Sequence, residues 1–180
     1  MPTSNLALWP SILHLVWEVK PARVLDVGPG WGKAAGLLRE YVDPAVTVDA
    51  VEAWPGYVTD RLRAAYDDVL VADALTLSDE VLGRYDLVLM VEVIEHMEKG
   101  AALALLSRVR CPVVVCTPAE FFSNGPDLPP TEDHVSLWSV SDFGDRVEAD
   151  RSEMGAVLVR LSGSARAGEN VERGLTKSLR

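Results

Sequence analysis

Residues 24–34 read VLDVGPGWGKA. Val24, Leu25 and Val27 make a short apolar run, and Gly28, Gly30 and Gly32 follow at once. A run of this kind bounded by turn residues predicts a buried strand over Val24–Gly28. The residues beyond it predict a helix through Leu37, Leu38 and Tyr41 that ends before Pro44. Glycine between the two allows positive φ, or a close approach of the backbone to a ligand. Strand, tight glycine turn and helix together form the opening unit of a parallel α/β sheet.

The unit repeats downstream. Val46, Val48 and Val51 predict a second strand ending at Glu52, and Tyr57, Val58, Leu62 and Ala65 a helix. Val69–Ala72 predicts a third strand that ends at Asp73, followed by a short helix over Ser78–Leu82 with Ser78 as its cap. DLVLMV (86–91) is nearly continuous in apolar residues, as a strand covered on both faces must be. A helix through Ala101–Val109 leads to a fifth strand, Pro112–Cys116. Upstream, Leu6, Trp9, Ile12, Leu13, Val16 and Trp17 recur at helical spacing and predict an N-terminal helix over 4–19 that Pro10 starts or kinks. Short connections between alternating strands and helices imply one domain with helices on both sheet faces.

After Thr117 the rhythm changes. TPAEFFSNGPDLPPTEDH (117–134) is a long polar loop rich in proline, and loops of that length in a compact domain carry function or are disordered. Ser139 and Asp142 predict the cap of a short helix. GAVLVRL (155–161) predicts the second arm of a hairpin whose first arm lies near Val147–Asp150. The polar tail from Ser162 is expected to fray, so the domain is placed at 1–163 and the flexible tail at 164–180.

The net charge of −10 argues against a broad grip on nucleic acid, while leaving a local basic patch open. Cys111 and Cys116 flank one predicted strand, roughly 16 Å apart, so no disulfide joins them and a reducing, cytoplasmic setting is expected. The apolar stretch Leu6–Trp17 has no basic residue before it and is not read as a signal peptide; no run is long enough to span a membrane.

In an open α/β sheet, ligands bind at the carboxyl ends of the strands. Three of those ends carry an acid: Asp26, Glu52 and Asp73, at intervals of 26 and 21 residues. Three carboxylates around one crevice repel a diphosphate and suit a ligand with cationic groups and a diol. The glycine spacing agrees: G-x-G-x-G is not the G-x-G-x-x-G of dinucleotide binders, and Lys33-Ala34 does not complete a phosphate loop.

These residues, with VEA (51–53), VADAL (71–75), YDLVLMVEVIEH (85–96) and VVVCTPAEFF (113–122), make the chain resemble the class I S-adenosylmethionine-dependent methyltransferases. The resemblance covers Ala22–Phe143 and is greatest to the branch that includes ubiquinone-biosynthesis methyltransferases, where the fourth strand runs into E-V-x-E-H. It implies a three-layer Rossmann-like α/β sandwich with a seven-stranded sheet of order 3-2-1-4-5-7-6, the last strand antiparallel. It also implies that Asp26 and the loop of Gly28, Pro29, Gly30 and Gly32 bind S-adenosyl-L-methionine, the loop holding its methionine end. Glu52, with Ala53, takes the ribose hydroxyls; Asp73 and Ala74 meet the adenine; Val91 and Glu92 close over the cofactor. Many relatives carry Asn in the pair after the fifth strand's T-P, where this chain has Ala119-Glu120.

Glu92, Glu95 and His96 fall at i, i+3 and i+4, one face of a helix if a helix has begun there. His134 follows Glu132 and Asp133 in the long loop. Three readings stay open: a helix start with local hydrogen bonds; His96 or His134 as a general base assisted by Glu95; and a divalent cation (Mg, Mn or Zn) held by Glu92, Glu95, His96 and His134. Ubiquinone-pathway O-methyltransferases and small-RNA 3′-terminal 2′-O-methyltransferases have related, metal-binding patterns. The expected activity is O-methylation of a small molecule or glycan hydroxyl, with a metal-dependent RNA-terminal 2′-O-methyltransferase as the alternative. Two readings come from other classes: a nicotinamide-dependent oxidoreductase, against which the glycine spacing counts, and a non-catalytic cofactor-binding partner subunit. Phe121, Phe122 and the loop to His134 are the expected acceptor wall. Trp31 and Trp54 either stack near the cofactor or pack on the sheet.

Overall fold

Seven strands join into a single sheet of order β3-β2-β1-β4-β5-β7-β6 in the computed structural model, which describes residues 4–121 and 132–165. The strands are β1 (Arg23–Val27), β2 (Thr47–Glu52), β3 (Asp68–Val71), β4 (Leu87–Val91), β5 (Val113–Pro118), β6 (Val147–Asp150) and β7 (Ala156–Leu161). β1 to β5 pair in parallel; β7 runs antiparallel to β5 and β6. The helices are α1 (Trp9–Val19), α2 (Lys33–Tyr41), α3 (Asp60–Ala65), α4 (Asp79–Leu82) and α5 (Lys99–Arg108). Order and strand directions are those the resemblance implies.

The side-chain alternation of a strand divides the core in two. Val24, Val48, Leu87, Leu89 and Val114 pack under α1 and α2 with Ile12, Leu15, Val16 and Leu38. Leu25, Val27, Val88, Met90 and Val115 face the other way, onto Leu105 and Leu106 of α5 and the Trp138–Phe143 pair. Those two rings stack at 5.3 Å between centroids. Burying each large aliphatic side chain stabilises the fold by about 1.5–3 kcal/mol, so both layers hold in place the strands whose carboxyl ends carry the site.

Several boundaries move for local reasons. Pro10 falls in the first turn of α1 and starts that helix without kinking it. Leu6 precedes the helix in a 3-10 turn over Leu6–Leu8 and points to solvent, as does Trp17. Tyr57 closes a separate 3-10 turn after Pro55, and α3 begins only at Asp60, where Thr59 Oγ1 accepts from the Leu62 N–H at 3.2 Å. Asp86 stands outside β4, because its carboxylate accepts from the backbone N–H groups of Ala22 and Arg23. The chain is not frayed from Ser162: Ser162 N–H bonds Arg146, and Ser164 bonds Val109 and Leu106. The expected tail beyond Ala165 lies outside the described residues. Cys111 and Cys116 are both free thiols, and no described helix is long and apolar enough to cross a membrane.

Candidate functional site

The carboxyl ends of β1, β2, β3 and β4 surround a cavity of about 670 Å³. Asp26, Gly28, Pro29 and Gly30 line it from the first turn, Glu52 and Ala53 from the second, Asp73 and Ala74 from the third, Val91 and Glu92 from the fourth. All three acid-bearing strand ends therefore meet in one place, as their intervals predict. Gly32 is the exception among the expected cofactor residues. It caps α2 at φ 84°, packed toward Leu62 and Tyr66, and serves the turn instead of the cavity.

Gly28 takes φ 65°, and its N–H donates to the Val51 carbonyl at 2.9 Å. A Cβ added there would lie 2.5 Å from Val93 Cγ2. Conformation and space both require glycine, so the bare backbone faces the cavity.

The acids differ in environment. Asp26 is buried and accepts from the Tyr66 hydroxyl. Burial pushes its carboxyl up to about 7, the Tyr66 hydrogen bond opposes this, and Glu52 adds to it. Burial also raises Glu52, against the Trp54 N–H that its Oε1 accepts at 2.7 Å. Asp73 is exposed and accepts from the Leu75 N–H at 2.9 Å. A positive ligand would draw Asp26 and Glu52 toward their ionised forms, so the cavity favours a cation.

The E-x-x-E-H segment is not a helix face. Glu92 has φ 55°, and only Ile94–His96 form a 3-10 turn. The break separates Glu92 from the other two. Its Oε1 accepts from the Asn5 N–H at 3.1 Å, while Glu95 turns inward and is 2% exposed. Glu95 Oε2 accepts from Thr117 Oγ1 at 2.9 Å, and Oε1 has no hydrogen-bond partner among the described residues. Burial pushes this carboxyl up to about 7, past the lowering pull of its own backbone N–H and Thr117.

Residues 135–138 pack against the same turn. The Val135 and Ser136 N–H groups donate to the Glu95 carbonyl at 2.8 and 3.1 Å, and Trp138 Nε1 donates to the Ile94 carbonyl at 3.2 Å. That docking sets the His134 ring edge-on to His96, 4.9 Å between centroids. Ligand atoms of Glu95, His96 and His134 all lie within 4.8 Å of one another; Glu92, the fourth expected ligand, is outside that group. His96 Nδ1 is 3.1 Å from the Asp133 carbonyl. A carbonyl only accepts, so Nδ1 donates to it, and in the neutral ring that tautomer leaves the lone pair on Nε2. Burial, then His96, lowers the His134 pKa, with Glu132 opposing.

A buried carboxylate oxygen without a partner beside two imidazoles fits a divalent ion of the zinc, manganese or iron kind. Asp49 Oδ1 is similarly unpartnered, but its other oxygen is paired with Arg23 at 2.6 Å and accepts from Tyr85. Among the described residues no lysine or arginine is paired with Glu95 beside its Thr117 bond.

Sequence patterns did not reveal the roles of Thr117 and Tyr66, which arise through tertiary contact; Ser4, Asn5, Leu8 and Trp9 line the cavity from the N-terminal segment. Trp31 lines the cavity at 6.2 Å from Tyr57, whereas Trp54 is outside it. Phe121 and the Ala119-Glu120 pair are exposed, and residues 122–131 of the expected acceptor wall lie outside the described residues.

Residues 5–112, more than half of the chain, match the model of a methyltransferase domain. Among solved structures, the chain is similar to the N-terminal domain of EvdMO1 with SAH bound. There the identity is 17%, over 87% of this chain and 80% of that one, with a TM-score of 0.59. It is similar to the methyltransferase domain of bacterial CtHen1-C at 18% identity, over 87% and 96% of the two chains, TM-score 0.61. For the PH0226 protein from Pyrococcus horikoshii OT3 the values are 18%, 87% and 88%, and 0.63. At these identities the likeness is one of fold. No curated protein matches the chain.

Proposed function

The chain belongs to the methyltransferase-domain family and is an S-adenosylmethionine-dependent methyltransferase, and from that premise we propose that it methylates a hydroxyl oxygen of a small molecule or glycan. The observation that carries this reading is the Glu95–His96–His134 group opening onto the same cavity as the glycine turn. An acceptor oxygen attacks the methyl carbon in line as the carbon–sulfur bond breaks. The sulfur keeps the electron pair and becomes a neutral thioether. The hydroxyl proton needs a base, and His96 Nε2 and a neutral His134 offer one. Alignment of acceptor, methyl and sulfur supplies most of the remaining acceleration.

In this reading Glu52 takes the ribose hydroxyls and Asp73 the adenine end, both residues lining the cavity. Glu95, oriented by Thr117, faces the imidazoles and balances the charge that forms on them. A divalent ion bound by Glu95, His96 and His134 would supply acidification of the acceptor hydroxyl. The same segment supports a relation to the ubiquinone-biosynthesis branch. The net charge of −10 favours a small acceptor over a long polyanion.

The test is transfer of a labelled methyl group to a panel of vicinal-diol, phenol and sugar acceptors alongside amine and carbon-acid acceptors, with and without chelator. Hydroxyl acceptors are expected to be methylated, and chelation to abolish activity that one cation restores. Methylation confined to nitrogen or carbon acceptors would contradict the reading. Full activity in chelator would remove the metal and leave the imidazoles as the base.

A further inference from the structure

The cavity at the glycine turn is rich in carboxylates, and Lys33 is the single lysine or arginine among its described lining residues. The head of the cofactor is a zwitterion at neutral pH, with a carboxylate and an ammonium on one carbon. Its ammonium has acids to meet. Its carboxylate is repelled by the same acids unless a cation answers it.

Lys33 opens α2 directly after the last glycine. Its Nζ donates to the Ser4 carbonyl at 2.7 Å. The N–H of that same peptide unit, on Asn5, donates to Glu92 Oε1 at 3.1 Å. One planar group is thus clamped between a cation at its oxygen and a carboxylate at its nitrogen. Trp9 fixes the clamp from below: its Nε1 donates to Ser4 Oγ at 2.9 Å, and its ring centroid lies 5.7 Å from Lys33 Nζ. An ammonium has three donors and a carboxylate two oxygens, and the peptide uses one of each.

We propose that Lys33 binds the α-carboxylate of S-adenosylmethionine and Glu92 its α-ammonium, the Ser4–Asn5 peptide holding the two opposed charges at the separation one amino-acid head requires. Lys33 is then a positioning residue that selects cofactors bearing that head. The proposal rests on the cofactor assignment of the preceding subsection.

Calorimetry on the full chain with two ligands tests it. S-adenosylhomocysteine carries the amino-acid head; 5′-methylthioadenosine shares its nucleoside and thioether and lacks the head. Lys33→Ala is expected to weaken S-adenosylhomocysteine by about tenfold or more, the scale of one lost charge-assisted hydrogen bond, and to leave 5′-methylthioadenosine within about twofold. Lys33→Arg is expected to retain most of the affinity, and Glu92→Gln to repeat the selective loss. Equal weakening of both ligands, or no weakening of S-adenosylhomocysteine, would overturn the proposal. Wild-type protein that binds neither ligand would instead overturn the cofactor assignment beneath it.

Discussion

Replacing Glu95 by glutamine is expected to lower the turnover of methyl transfer by about 100-fold or more, within the range for removing a group from acid–base machinery. The substitution keeps the size of a side chain that is 2% exposed, and its amide oxygen still accepts from Thr117. What it removes is the charge and the unpartnered acceptor Oε1. If a cation is held there, a ligand is weakened; if the imidazoles act alone, the imidazolium formed on proton uptake loses its counter-charge. Affinity for S-adenosylhomocysteine should stay within about twofold, because the cofactor residues of β1, β2 and β3 are untouched. Labelled-methyl kinetics and calorimetry on one preparation measure both quantities. Wild-type turnover in the variant would take this cluster out of the chemistry.

Gly28→Ala is expected to destabilise the fold by about 2–5 kcal/mol. A left-handed conformation costs an L-residue about 1–2 kcal/mol, and forcing a methyl into a packed site adds about 1–3 kcal/mol. The obstacle is Val93 Cγ2, 2.5 Å from where the Cβ would stand. In a Val93→Ala background the second cost should vanish, leaving about 1–2 kcal/mol for the backbone. Denaturant unfolding of the four proteins in the cycle gives the coupling. The same penalty in both backgrounds would show that Val93 is not what reserves the position for glycine.

The sheet was readable from the chain because each strand–helix unit announces itself locally: apolar run, turn residues, amphipathic stretch. Asp26, Glu52 and Asp73 were readable for the same reason, since one residue at the end of each unit must come to the same edge. The chemistry around Glu95 was less legible. Helical spacing put Glu92, Glu95 and His96 on one face, but Glu92 adopts φ 55° and the turn sends its carboxylate to the N-terminal segment instead. The pairing of His96 with His134 depends on backbone bonds from residues 135 and 136 to the Glu95 carbonyl, a contact distant in the chain that no local pattern encodes. Thr117 and Tyr66 orient Glu95 and Asp26 through contacts 22 and 40 residues away in the chain. Lys33 was visible as a residue that fails to complete a phosphate loop, and its place beside the Ser4 carbonyl comes only from the fold.

The central claim is that carboxylates at neighbouring strand ends and a side-chain-free turn make a seat for a cationic nucleoside. Titration calorimetry of the full chain with S-adenosylmethionine, its demethylated product and NAD tests it most directly. The account predicts saturable one-to-one binding of the first two and no heat from the third. Tight binding of NAD with indifference to both sulfur nucleosides would contradict it.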